Sequence, residues 1–101
     1  MAEQELITDN GDPAGTRVIF LDQTGAKSVP AVIADNVTVR RILPNIVGKM
    51  NLPLTGPDGQ PVSYSLDHKE QGRRLLEDQT LPEAGIRAGD HLIVYPEIVA
   101  G

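Results

Sequence analysis

Arg73-Arg74-Leu75-Leu76-Glu77-Asp78-Gln79-Thr80-Leu81-Pro82-Glu83-Ala84-Gly85-Ile86-Arg87-Ala88-Gly89-Asp90-His91-Leu92-Ile93-Val94-Tyr95 is the stretch whose reading decides the fold. Arg73 to Leu76 reads as a short strand. Thr80-Leu81-Pro82-Glu83 then has the form of a capping box, with Pro82 in the first turn of a short helical segment that ends at Gly85. Gly89-Asp90 turns the chain into His91 to Tyr95, whose β-branched and aromatic content predicts a last strand.

Working back toward the N-terminus, Val39 to Asn51 places apolar residues at 39, 42, 43, 46, 47 and 50, the spacing of one helical face. Thr38 can supply an N-cap oxygen, and Asn51 offers a left-handed exit before Pro53. Pro44 lies inside this helix, where its missing N–H breaks the bond to the Arg40 carbonyl, so a bend is expected. Thr16 to Leu21 and Ser28 to Ala34 flank the turn residues Asp22-Gln23-Thr24-Gly25 and predict a hairpin, with Pro30 confining its strand to an edge. Leu54 to Pro61 reads as a loop. Val62 to Leu66 alternates with strand period, putting Val62, Tyr64 and Leu66 on one face and Ser63 and Ser65 toward solvent, and Asp67 to Gly72 reads as a turn. Five strands and one long helix result.

The 101 residues suit one domain. Aromatics are only 3 % and tryptophan is missing, so the core must rest on Leu, Ile and Val around Phe20. The absence of cysteine excludes disulfides, thiolate metal sites and a cysteine nucleophile. No apolar run approaches the ~18 residues of a membrane span and no secretory signal is visible, so a cytoplasmic location is the expectation. Of the net charge of −5, most resides in residues 1–15, which carry Glu3, Glu5, Asp9 and Asp12 without a basic residue. This segment reads as a flexible acidic arm, with Leu6-Ile7 as its one apolar hook. The near-balanced remainder lacks a basic footprint, which argues against nucleic-acid binding.

Catalytic patterns are missing. His68 falls in the predicted turn and His91 opens a strand, and neither has carboxylates at the spacing of a metal site or an acid–base pair, so no metal, cofactor or catalytic residue is expected. Gly56-Pro57-Asp58-Gly59 lacks the lysine of a phosphate loop. Strand alternation is more informative: with Val18, Phe20, Leu92 and Val94 inward, Ile19, Leu21, Ile93 and Tyr95 share the outer face as an apolar interaction patch.

The run Leu76-Glu77-Asp78-Gln79-Thr80-Leu81, Gly85-Ile86, Gly89 to Val94 resembles the segment of ubiquitin leading into its last strand. Val39-Arg40-Arg41-Ile42-Leu43-Pro44, with Asn51-Leu52, is similar to the YukD- and EsaB-type bacterial ubiquitin relatives. The resemblance covers residues 16–95 and implies an α+β fold, a ubiquitin-like β-grasp with a mixed five-stranded sheet packed on one long helix. It leaves residues 1–15 as an arm and 96–101 as a tail. Gly101 follows Leu92 by nine positions, similar to the register of ubiquitin's terminal glycine, with Ala100 in place of the penultimate one. The resemblance therefore implies a modifier activated at Gly101 and joined to target amines, with activating-like and conjugating-like enzymes and a metalloprotease-type deconjugase as partners. Lys27, Lys49 and Lys69 are the candidate acceptors on the chain itself. Two alternatives stay open: a non-conjugated accessory subunit of a type VII secretion system, and a self-assembling scaffold that forms homo-oligomers.

Overall fold

In the computed structural model, which describes residues 7–8 and 15–97, the chain forms seven elements. They are β1 (Ile7–Thr8), β2 (Gly15–Asp22), β3 (Ser28–Ala34), α1 (Val39–Lys49), β4 (Ser63–His68), β5 (Arg73–Arg74) and β6 (His91–Glu97). The sheet has the order β1-β3-β2-β6-β4-β5. β2 and β6 run parallel at its centre, and the neighbouring pairs are antiparallel.

The hairpin β2–β3 is set by its turn. Thr24 Oγ1 donates to the Asp22 carboxylate at 3.0 Å, Lys27 N–H donates to Asp22 Oδ1 at 3.2 Å, and Gly25 takes a φ of 79°, which its lack of a Cβ allows. In α1 the apolar stripe lands as the spacing requires, with Val39, Ile42, Leu43, Ile46 and Val47 buried. They pack on Val18, Phe20, Ala31, Ile33, Leu66, Leu92 and Val94 from the inner sheet face. Asn51 has φ 59°, the left-handed exit expected of it. Pro44 faces solvent, so its ring intrudes on no core residue.

The N-terminus of α1 is capped differently from expectation. Thr38 occupies the N-cap position, yet its side chain makes no cap hydrogen bond. The first helical N–H groups instead donate to the 77–79 loop: Val39 N–H to the Gln79 carbonyl at 2.8 Å and Arg40 N–H to that of Glu77 at 3.0 Å. Orphan donors at a helix start need some acceptor, and here tertiary structure supplies it. The Arg40 guanidinium adds ion pairs to Asp78 at 2.7 Å and Glu77 at 3.4 Å.

Other boundaries differ from the reading of the sequence, among them β5, which is Arg73–Arg74 and excludes Leu75 and Leu76. β4 begins at Ser63, excludes Val62, and runs two residues past Leu66, so Asp67 and His68 are strand and not turn. The segment after Thr80 is a hydrogen-bonded turn and not a helix, although its capping box forms, with Thr80 N–H to Glu83 Oε1 at 2.9 Å and Glu83 N–H to Thr80 Oγ1 at 3.3 Å. β6 includes Pro96 and Glu97, opposite Tyr64 and Ser63. Its pairing with β2 ends at Asp22↔Val94, so Pro96 sits where β6 has become an edge and a missing donor is tolerated. Finally, β1 adds a sixth strand to the five expected, pairing Ile7 with Ile33 and Thr8 with Val32 within the same chain.

Candidate functional site

The residues read as an apolar interaction patch lie on the two central strands, β2 and β6. Leu21 and Ile93 are register partners in the parallel pair, Ile19 lies beside His91, and Tyr95 follows two residues along β6. All four side chains, Ile19, Leu21, Ile93 and Tyr95, are half-buried. Pro30 and Ser28 of β3 lie opposite Ile19 and Leu21, and Asp67 and Ser65 of β4 lie opposite Ile93 and Tyr95.

On that β4 side the patch meets a charged clamp. Arg74 Nε donates to Asp67 Oδ1 at 2.8 Å, and its Nη1 lies 3.2 Å from Glu97 Oε2. Asp67 and Glu97 sit on either side of the Ser65–Tyr95 pair in the register, so the guanidinium spans it. The hydrogen bond to Asp67 raises the Arg74 pKa against a smaller effect of burial. Ser65, expected at the surface, is buried, and its Oγ has no partner among the described residues.

The largest departure concerns the histidines. His68 is not a turn residue: it continues the inward face of Tyr64 and Leu66, opposite Leu92, and its side chain is 3 % exposed. Nor are the histidines without carboxylates. His68 Nε2 lies 2.8 Å from Asp90 Oδ2 and 3.6 Å from Glu70 Oε1, and His91 Nδ1 lies 2.7 Å from Glu70 Oε2. Glu70 also accepts the His91 N–H at 2.9 Å, and Asp90 accepts that of Arg87 at 3.0 Å. Burial opposes ionisation of Glu70, but hydrogen bonds from the His91 ring and backbone and the nearby His91 charge outweigh it and lower the carboxyl to about 2. This cluster fastens the β4–β5 turn to the start of β6. One signal for it was present in the sequence, since 64, 66 and 68 keep one strand period; the pairing across 70 and 90–91 was not.

The candidate lysines are scattered and exposed. Lys27 Nζ donates to the Met50 carbonyl at the end of α1 at 3.2 Å, Lys49 is in the last turn of α1, and Lys69 is in the β4–β5 turn. Ala100 and Gly101 lie outside the described residues.

Among solved structures the chain is similar to Caldiarchaeum subterraneum ubiquitin, with TM-score 0.63 and 24 % identity over 86 % of this chain and 99 % of that one. It is similar also to a designed protein based on ubiquitin, with TM-score 0.66 and 16 % identity over 88 % and 96 % of the two chains. A third likeness is to the N-terminal ubiquitin-like domain in the 4931431F19Rik protein, at TM-score 0.63 and 20 % identity over 87 % and 80 %. These likenesses establish the ubiquitin-like β-grasp fold. No curated protein sequence matches. The sequence profile of the WXG100 protein secretion system (Wss) protein YukD matches residues 16–94, which cover β2 through most of β6, and the chain belongs to the YukD family.

Proposed function

We propose that the protein is a non-catalytic docking component of a WXG100 secretion system, contacting another component of that system through Ile19, Leu21, Ile93 and Tyr95. The match to the YukD family over residues 16–94 carries this reading. The patch supports it physically: four large apolar side chains on adjoining central strands gain from being covered, while the Arg74 clamp offers a polar rim. No helix among the described residues is long and apolar enough to cross a membrane. The test is genetic. In a strain lacking the protein, export of a WXG100 substrate is measured after complementation with the parent chain, with Ile93→Glu plus Tyr95→Glu, or with a chain lacking Ala100 and Gly101. Docking predicts that the patch variant, folded by circular dichroism, fails and that the shortened chain restores export.

Conjugation through Gly101 to amines such as those of Lys27, Lys49 or Lys69 draws no support from the family or from the fold. Under that reading the shortened chain fails instead, so the same experiment separates the two. Self-association through the outer face is a variant of docking, read by light scattering of Tyr95→Glu against the parent.

A further inference from the structure

We propose that His68, Glu70 and Asp90 form a binding site for a first-row divalent cation such as zinc, with His91 as its orienting partner. These residues come from the end of β4, the β4–β5 turn and the turn before β6, and they contribute one nitrogen and two oxygens that all lie within 4.8 Å of one another. Bonds of about 2.1 Å at a tetrahedral zinc set ligand atoms roughly 3.4 Å apart. The separations of 2.8 Å and 3.6 Å from His68 Nε2 to the two carboxylates bracket that value.

Electrostatics favours the same occupant. Two carboxylates approach one imidazole nitrogen, Glu70 being engaged also by His91 and Asp90 by the Arg87 N–H. A divalent ion between them adds positive charge where the two carboxylates meet, and a mixed imidazole and carboxylate set suits zinc and its neighbours in the first row. The ligands are held beforehand: Glu70 by the backbone N–H and ring of His91, Asp90 by the backbone N–H of Arg87, and His68 by burial. The His91–carboxylate contact is the kind of outer support that fixes a metal ligand. Glu70 and His91 are partly exposed and give the ion a path from solvent.

One feature sets the strength. A metal at Nε2 moves the ring proton to Nδ1, which is buried and has no hydrogen-bond partner among the described residues. Loss of such an outer partner costs about 10- to 100-fold in affinity, so the site binds reversibly and does not permanently hold its ion. Its occupancy ties the β4–β5 turn to β6 more tightly.

The full chain, stripped with a chelator and dialysed, is titrated with zinc chloride while the histidine ring nitrogens are followed by two-dimensional NMR. The expected result is a shift of the His68 ring signals saturating at one ion per chain, with Glu70→Gln weakening the binding at least 10-fold and Glu77→Gln leaving it unchanged. Unmoved His68 signals at saturating zinc overturn the proposal, as does equal affinity in Glu70→Gln and Asp90→Asn, which marks an ion held elsewhere. Should a variant lose its fold, the ring signals of the parent chain decide alone.

Discussion

Asp90→Ala is the substitution on which the reading of the buried histidine can be tested. It deletes the acceptor 2.8 Å from His68 Nε2, leaving an imidazole that is 3 % exposed with no partner on either nitrogen, since Nδ1 already lacks one. The nearest replacement, Glu70 Oε1, is 3.6 Å away and engaged by His91 N–H. A buried polar group stripped of its partner costs about 1–3 kcal/mol. Near-complete burial argues for the upper half, about 2 kcal/mol, or roughly 10 °C in Tm for a domain of this size. The Arg87 N–H freed by the same change is exposed and turns to water. Replacing the imidazole as well, in His68→Leu with Asp90→Ala, removes the unsatisfied group and should return the protein to within about 1 kcal/mol of the parent, because loss of both partners costs less than loss of one. The assay is urea unfolding with a chelator present, followed by far-ultraviolet circular dichroism because the chain has no tryptophan. Asp90→Ala within about 0.5 kcal/mol of the parent, or a double variant no more stable than Asp90→Ala, would refute the reasoning.

Other consequences follow from single contacts. In chelator-treated protein the Glu70 carboxyl titrates at about 2 against an ordinary 4.5, so its contribution to stability is complete above about pH 4.5 and is lost as pH falls through about 2; carbon-detected NMR reads the titration, and Glu70→Gln should flatten that acid limb. Thr80→Ala removes the hydroxyl that accepts the Glu83 N–H, while the Thr80 N–H to Glu83 bond remains open to it, and should cost about 1 kcal/mol, whereas Thr38→Ala, which loses no cap hydrogen bond, should cost under about 0.5 kcal/mol by thermal unfolding. At Gly15 an added Cβ would stand 2.5 Å from Val32 Cγ1 and 2.9 Å from the Ile33 carbonyl oxygen, so Gly15→Ala should destabilise by about 1–3 kcal/mol in the same measurement.

Periodicity made most of the scaffold legible. The stripe at 39, 42, 43, 46 and 47 and the alternation on the first and last strands fix what faces the core, and those assignments agree with the burial found. The outer patch follows from the same alternation, because a residue between two inward neighbours in a strand has one other side to face. Contacts between distant segments are a different matter. That Thr38 would yield its capping role to the Gln79 and Glu77 carbonyls depends on where the 77–80 loop lies, which no local pattern encodes. Asp67 to Gly72 has turn composition, and polar Asp67 and His68 hide the continuation of β4; the strand persists because β6 pairs with it as far as His68↔Leu92. Glu70 and Asp90 are far apart in sequence, so their convergence on His68 required the sheet.

The outer face of β2 and β6 is the docking surface proposed for the secretion system. It is tested most directly by placing a photoreactive phenylalanine analogue at position 93, at position 95, or at exposed position 58, and irradiating cells that assemble the system. Docking through this face predicts covalent adducts with a component of the secretion machinery from 93 and 95 and none from 58. Adducts from 58 alone, or equal yields from all three positions, would contradict it.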